Sequence, residues 1–259
     1  MKNTALITGG SGGIGVELAR LFASDGIDLM LVARNNDKLQ ETKNNLENEY
    51  NINVHVLPLD LSVKASPDKI FDFTKDNNLR IEYLINNAGF GYFGYFSETD
   101  WKKEESMINL NITSLTQLTK LYLTEMLERN SGKILNVAST AAFQPGPLMA
   151  VYYATKAYVL HFSEAINSEL EGKNITVTAL CPGPTETSFQ TRAEMENSKF
   201  LDIANLQAAR KVADFGYNAM QKGKSVAIPG FSNKITAFMN RILPRNTIAN
   251  IVKNISLPK

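Results

Sequence analysis

Thr4-Ala5-Leu6-Ile7-Thr8-Gly9-Gly10-Ser11-Gly12-Gly13-Ile14-Gly15 is the stretch on which the reading of the whole chain turns. The apolar run Thr4 to Thr8 predicts a strand, and the amphipathic run Val16 to Ala23 predicts a helix. The glycines between them join the two without a loop. A strand, a glycine turn and a helix N-terminus make a pyrophosphate site: backbone N–H groups and the positive end of the helix dipole face the anion, and absent Cβ atoms let it approach. The stretch satisfies GxGxxG from Gly10, and both TGxxGxxG and TGxxxGIG from Thr8, so the glycines alone do not choose among these patterns. Gly9, Ser11, Gly12, Gly13, Ile14 and Gly15 are the candidate anion contacts.

Working outward, strand and helix patterns alternate. Strands are predicted at Ile27 to Ala33, Val54 to Leu59, Ile81 to Asn86, Lys133 to Ala138 and Ile175 to Leu180, with a short one near Ser225 to Ile228. Long helices are predicted over about Trp101 to Arg129 and Val151 to Leu170. Parallel strands need crossover connections, so this alternation predicts an α/β fold: a doubly wound parallel sheet of Rossmann type in three α/β/α layers. Residues 1–259 fit one such domain, with neither a repeat nor a low-complexity linker. In such sheets ligands lie beyond the carboxyl ends of the strands.

The second strand ends at Arg34. An acid at this position would bond the ribose 2′-hydroxyl of NAD, whereas a guanidinium suits the 2′-phosphate of NADP, so NADPH is the expected cofactor. Asp37 lies beyond the strand end and is expected to cap the helix running to Tyr50.

Composition narrows the field. At 44% hydrophobic and 20% charged residues the chain is expected to be globular, which argues against disorder, collagen and coiled coil. Its single cysteine, Cys181, can form no intramolecular disulfide and has no CxxC partner for zinc. With no signal-peptide pattern and no apolar run long enough to span a bilayer, a cytoplasmic location is expected. His55 and His161 have no second ligand or nucleophile at usable spacing and read as ordinary core or surface histidines. Cys181 reads as a small buried hydrophobe.

The remaining strand ends carry Leu59-Asp60-Leu61, Asn86-Asn87-Ala88-Gly89, Ala138-Ser139 and Cys181-Pro182-Gly183-Pro184-Thr185-Glu186-Thr187, and a helix carries Tyr152-Tyr153-Ala154-Thr155-Lys156. Tyr152 and Lys156 are four apart and share a helical face. A phenol of ordinary pKa about 10 becomes a usable acid or base if an ammonium beside it favours its anion. Tyr153, three before Lys156, is not excluded by spacing.

Together these ordered motifs, from Thr4 to about Thr187, resemble the short-chain dehydrogenase/reductase family in its compact single-domain form. The resemblance implies a catalytic set of Ser139, Tyr152 and Lys156, with Asn111 as fourth member and Asn109 as the neighbouring register. It implies cofactor contacts from Gly9, Ser11, Ile14, Asn87, Ala88 and Gly89, with Asp60 and Leu61 at the adenine and Pro182, Gly183, Thr185 and Thr187 by the nicotinamide; Tyr152, Lys156 and Asn111 belong to that set as well. The family pattern selects Tyr152 over Tyr153, which is then expected in the core. In the implied chemistry Tyr152 protonates a developing alkoxide, Ser139 bonds the same oxygen, Lys156 lowers the tyrosine pKa and holds the ribose, and Asn111 supports a water that relays the proton. A homodimer or homotetramer built on the two long helices is also implied. The competing readings are a non-catalytic nucleotide-binding regulator, which would not need this proton-relay set, and an epimerase or dehydratase, which would want a further substrate domain.

Phe90-Gly91-Tyr92-Phe93-Gly94-Tyr95-Phe96 and Thr140-Ala141-Ala142-Phe143 leave the same edge and predict an apolar pocket for a hydrophobic carbonyl or alcohol substrate, or else anchor their loops. Residues of about 186–213 show no strand signal and are expected to form a mobile cover. From Phe215 onward there is no acid; Lys222, Lys224, Lys234, Arg241, Arg245, Lys253 and Lys259 give +7, which against a net charge of +1 leaves −6 on residues 1–214. Residues of about 234–255 predict two basic amphipathic helices broken at Pro244. Their apolar sides either pack on the protein or dock an anionic partner, a membrane surface or an acidic carrier protein. Nucleic acid is not expected, since no recognition motif accompanies the charge.

Overall fold

A computed structural model describes residues 2–195, 198–200 and 204–258. The elements are β1 (Asn3–Thr8), α1 (Gly13–Ser24), β2 (Asp28–Ala33), α2 (Asn36–Glu49), β3 (Val54–Pro58), α3 (Ser66–Asp76), β4 (Arg80–Asn86), α4 (Trp101–Ile108), a π-helical segment (Asn109–Ser114), α5 (Leu115–Arg129), β5 (Gly132–Val137), a 3-10 turn (Thr140–Phe143), α6 (Ala150–Glu169), β6 (Ile175–Leu180), β7 (Thr185–Glu186), α7 (Phe189–Arg192), β8 (Gln207–Ala208), α8 (Ala209–Gln221), β9 (Val226–Ala227), α9 (Phe231–Met239) and α10 (Arg245–Ser256).

Seven parallel strands form the main sheet in the order β3-β2-β1-β4-β5-β6-β9. The chain winds outward from β1 to β3 and then returns to β4 on the other side of β1. The switch point between β1 and β4 opens a crevice at their carboxyl ends, where ligands of such sheets sit. Both faces of the sheet are covered, which is why β2 is buried at every residue rather than alternating. β1 sends Ala5 and Ile7 into the core shared with Leu18 and Phe22 of α1, and Leu6 into the core shared with Tyr122 of α5. These packed layers make the three-layer α/β/α arrangement expected of the sequence.

Several local expectations need correction. The helix expected over Trp101 to Arg129 is divided by a π-helical segment around Asn111, a local rewinding that leaves hydrophobic periodicity nearly unchanged and is therefore hard to read. Asn35, not Asp37, caps α2: its side chain accepts from the Lys38 N–H at 2.9 Å, and Asp37 sits in the first turn. The segment expected to be a strandless cover, of which 196–197 and 201–203 lie outside the described residues, contains strands: β7 pairs in parallel with β8, Thr185 opposite Gln207 and Glu186 opposite Ala208. Two-residue strands are too short to show a period. The segment is also tied down by the Phe93 N–H donating to the Ala193 carbonyl at 3.0 Å and by Lys103 paired with Glu194 at 2.6 Å.

The two tail helices form where expected, but they differ. α10 buries Ile248, Val252 and Ser256 against the protein. In α9 the buried residue is Ala237, and the large apolar side chains point outward.

Candidate active site

The site begins at the end of β1. Gly9 and Gly13 adopt φ of +69° and +55°, conformations that favour glycine. The Gly9 N–H donates to the Val32 carbonyl at 2.7 Å, which ties the turn to β2. A Cβ on Gly15 would lie 2.3 Å from the Gly9 carbonyl oxygen, so Gly15 allows α1 to close on the strand; it does not line the cavity, unlike Gly9, Ser11, Gly12, Gly13 and Ile14. α1 begins with no capping side chain and no acid in its first turn, which leaves its N–H groups free to meet an anion.

Thr8 and Asn87 lock the switch point. The Thr8 hydroxyl oxygen accepts from the Asn87 and Ala88 N–H groups, each at 3.0 Å, and the Asn87 side-chain amide donates to the Thr8 and Gly9 carbonyls at 2.9 and 3.3 Å. Asn87, Ala88 and Gly89 therefore shape the crevice wall while also lining it.

A cavity of about 1200 Å³ runs along this edge. That exceeds the ~300–1,000 Å³ of ordinary small-molecule pockets and leaves room for an extended ligand and a second molecule. At one end lie Arg34, Asn35, Lys38, Asp60 and Leu61. Arg34 is 66% exposed and 4.0 Å from the Asp60 carboxylate, which also accepts from the Ser62 N–H and hydroxyl. A loosely held guanidinium with a lysine one helical turn away suits a phosphate monoester. Sequence reasoning missed Lys38, although its place in the first turn of a helix capped just after Arg34 was a readable signal.

Near the middle Ser139, Tyr152 and Lys156 line the cavity with Pro182, Gly183, Thr185 and Thr187. Ser139 caps the 3-10 turn, accepting from the Ala141 N–H at 3.1 Å, which fixes its hydroxyl oxygen. The Lys156 ammonium donates to the Val137 carbonyl at 2.8 Å and lies 5.9 Å from the centroid of the Tyr152 ring. Burial pushes this lysine down to about 8. Burial also pushes the Tyr152 phenol above its ordinary value, and a hydrogen bond from Ser139 offsets only part of that. In this arrangement desolvation of the phenol outweighs any lowering by Lys156, whose ammonium donates to the Val137 carbonyl. A phenol kept protonated is nonetheless the state an acid catalyst needs.

The two tyrosines separate clearly. Tyr153 turns to Gln144, packs over Gly146, whose Cβ would lie 2.1 Å from its ring, and lines the cavity while also packing against the buried cluster that holds Met107, Ala141 and Met149. Burial pushes its phenol up to about 12. Only Tyr152 of the pair stands beside Ser139.

Asn111 is buried and does not line the cavity. Its amide donates to the Phe90 carbonyl at 3.0 Å and the Thr155 hydroxyl at 3.1 Å, and its oxygen accepts from the Phe90 N–H at 3.3 Å. It braces the Phe90 loop against α6, and Thr155 in turn donates to the Tyr152 carbonyl at 2.7 Å. Asn109 is in the same π-helical segment.

The far end is apolar. Phe90, Tyr92, Met149, Phe189, Met195 and Phe200 line it, and the Phe189 ring lies 5.2 Å from that of Tyr152. Gly91 lets them meet, since a Cβ there would touch Met149 and Phe189 within 3 Å. The aromatic run divides: Phe90 and Tyr92 face the cavity, whereas Tyr95 and Phe96 are exposed. Phe143 packs in a separate cluster with Leu115 and Ala138. Met149, Phe189, Met195 and Phe200 escaped sequence reasoning because they reach the site through tertiary packing. Of the remaining candidates, His55 is half-buried near Phe73, His161 is exposed beside Glu164, and Cys181 is buried, its thiol pushed up to about 12 by desolvation. No cluster of potential metal ligands occurs among the described residues.

A doubly wound sheet with an uncapped glycine turn at its switch point and a serine–tyrosine–lysine set over the same crevice defines a class of dinucleotide-dependent oxidoreductases. The chain belongs to the short chain dehydrogenase family, whose model matches residues 3–198. It is 37% identical over 182 residues to a very-long-chain 3-oxoacyl-CoA reductase of Rattus norvegicus, covering 69% of this chain and 58% of the relative. The match thus spans little more than half of that protein's length. Among solved structures, a short-chain dehydrogenase from Sphingobium yanoikuyae in complex with NADPH superposes with a TM-score of 0.83 at 31% identity, covering 93% of this chain and 94% of the other. A bulky-bulky ketone specific alcohol dehydrogenase from Comamonas testosteroni superposes with a TM-score of 0.80 at 27% identity, covering 93% and 92%.

Proposed function

We propose that this chain is an NADPH-dependent oxidoreductase that interconverts a carbonyl and a secondary alcohol in a hydrophobic substrate. The observation that carries the reading is the placement of Ser139, Tyr152 and Lys156 along the same cavity as the glycine turn. When bound, the dinucleotide supplies hydride. The α1 N–H groups and the backbone of Gly9, Ser11, Gly12, Gly13 and Ile14 would hold its pyrophosphate, Asp60 and Leu61 would flank the adenine, and Pro182, Gly183, Thr185 and Thr187 would hold the nicotinamide end. Arg34 and Lys38 would take a 2′-phosphate, in keeping with NADPH in the Sphingobium structure.

On the substrate side, the Tyr152 hydroxyl donates its proton to the carbonyl oxygen as charge grows there, and Ser139 bonds the same oxygen. Lys156 holds the ribose and supplies positive charge behind the phenol. Asn111 positions α6 through Thr155 and supports proton resupply. The apolar end, with Phe189 against Tyr152, favours a bulky or long-chain carbonyl, the chemistry named for the Comamonas and rat relatives. We read residues 1–259 as one catalytic domain in which about 186–213 cover the pocket and about 234–255 form a docking tail. We also read the protein as a cytoplasmic homodimer or homotetramer; exposed Trp101, Leu127 and Tyr158 on α4 to α6 support self-association. Among the described residues no helix is long and apolar enough to cross a membrane.

Calorimetric titration with NADPH and with NADH tests the reading without a guess at the substrate. Preferential binding of NADPH is expected; binding of neither would overturn it.

A further inference from the structure

α9 is an amphipathic helix packed the wrong way round for a water-soluble surface. Phe231, Ile235, Phe238 and Ile242 recur at intervals of four, three and four, so they form one stripe that continues into the turn after the helix. All four are exposed, Phe231 at 79% and Ile242 at 61%. The opposite side is small and polar, and that is the side facing the protein. Ala237 is buried, the Asn240 amide donates to Gln144 at 3.1 Å, and Asn233 lines the cavity beside Gly183. Ordinary packing would bury the large side chains, as α10 does with Ile248 and Val252 a few residues later.

Charge indicates what covers the stripe. Lys234 and Arg241, seven apart, flank it on one side, and Arg245 follows in the next helix. The chain contains no acid from Phe215 onward. The same face of a second copy would offer these cations no carboxylate from α9 or α10 to pair with. An anionic lipid surface instead accepts the aromatic and aliphatic side chains into its interface while its headgroups pair with the lysine and arginines.

We infer that α9 lies in the plane of an anionic membrane surface, with Phe231, Ile235, Phe238 and Ile242 among the acyl chains and Lys234 and Arg241 at the headgroups. Because Asn233 on the inner side of the helix lines the catalytic cavity, docking sets the cavity wall against the lipid, where an apolar substrate is dissolved. The inference goes beyond the oxidoreductase reading, and vesicle binding is measured without turnover, so the two fail separately.

The test is co-sedimentation of the full chain with vesicles of phosphatidylcholine alone and of phosphatidylcholine mixed with phosphatidylglycerol, with the oligomeric state measured without lipid. Binding to the mixed vesicles only is expected. The double variant Phe231→Ser/Phe238→Ser should lose it while keeping the oligomeric state and its NADPH affinity. In Lys234→Gln/Arg241→Gln each neutralised residue should weaken binding about fivefold, the equivalent of ~1 kcal/mol per basic residue near an anionic surface. Absence of binding to mixed vesicles, equal binding to both kinds, or dissociation of an oligomer by the serine variant would overturn the proposal, the last by assigning the stripe to a second copy of the chain.

Discussion

The two ends of the cavity are built differently. At the dinucleotide end the ligand-facing groups are backbone amides and short side chains set by consecutive residues, Gly9 to Ile14, and braced by Thr8 and Asn87. At the substrate end the wall is assembled from Phe90, Met149, Phe189, Met195 and Phe200, residues from three separate stretches of the chain that meet by packing. The first end is local in sequence and rigid in geometry. The second is remote in sequence and rests partly on a segment held by short strands and a surface ion pair. The proposed chemistry falls at the seam between them, where Tyr152 carries its hydroxyl beside Ser139 and its ring against Phe189.

The sharpest way to break this picture is at the seam. Tyr152→Phe should lower kcat by about 10³-fold or more while NADPH affinity stays within about threefold, because only the proton donor is removed. Tyr153→Phe should keep most of its activity, since its hydroxyl faces Gln144. The reverse ranking in steady-state assays would reassign the acid.

The next contrast lies within the glycine turn. A Cβ at Gly15 meets a backbone carbonyl at 2.3 Å, whereas one at Gly12 meets nothing within 4 Å. Gly15→Ala should therefore lower the melting temperature and weaken NADPH binding more than about tenfold, whereas Gly12→Ala should leave the melting temperature nearly unchanged and weaken NADPH binding only through a Cβ set where the pyrophosphate approaches. Calorimetry and thermal melts read both. At the outer end, Arg34→Ala and Lys38→Ala should each weaken NADPH binding about tenfold or more, at ~1.5–3 kcal/mol for a charged hydrogen bond, with NADH little changed.

These differences also explain what was legible in the sequence. The sheet, the glycine turn and the Ser139, Tyr152 and Lys156 positions could be read because strand period, helix spacing and turn chemistry are local. The strand pairing of Thr185 with Gln207, the π-helical segment at Asn111 and the cavity-facing Tyr153 could not, since each is decided by partners distant in sequence or by a change of hydrogen-bond register. The expected lowering of the Tyr152 pKa failed for a related reason: helical spacing placed Lys156 near the phenol but could not show how fully packing desolvates that phenol, or that the ammonium donates to the Val137 carbonyl.

The last contrast concerns the buried ammonium of Lys156. Its folded pKa of about 8 lies below the ordinary 10.5, so at neutral pH the buried cation costs the fold on the order of 3 kcal/mol. Lys156→Met should then raise the melting temperature by several degrees at pH 7 while abolishing turnover. The unfolded state holds this proton more tightly than the folded state, so the gap should narrow as pH rises from about 8 toward 10.5. A lower melting temperature in the variant at pH 7 would show that the cation is better compensated than its burial implies.

The central claim, that this crevice transfers hydride to a carbonyl carbon, is tested most directly with NADPH deuterated at the transferring position and a panel of bulky aryl and long-chain ketones. The account predicts deuterium at the carbinol carbon of at least one product, with Tyr152→Phe forming essentially none. Tight NADPH binding with no deuterated product from any ketone would contradict it and favour a nucleotide-binding regulator built on the same fold.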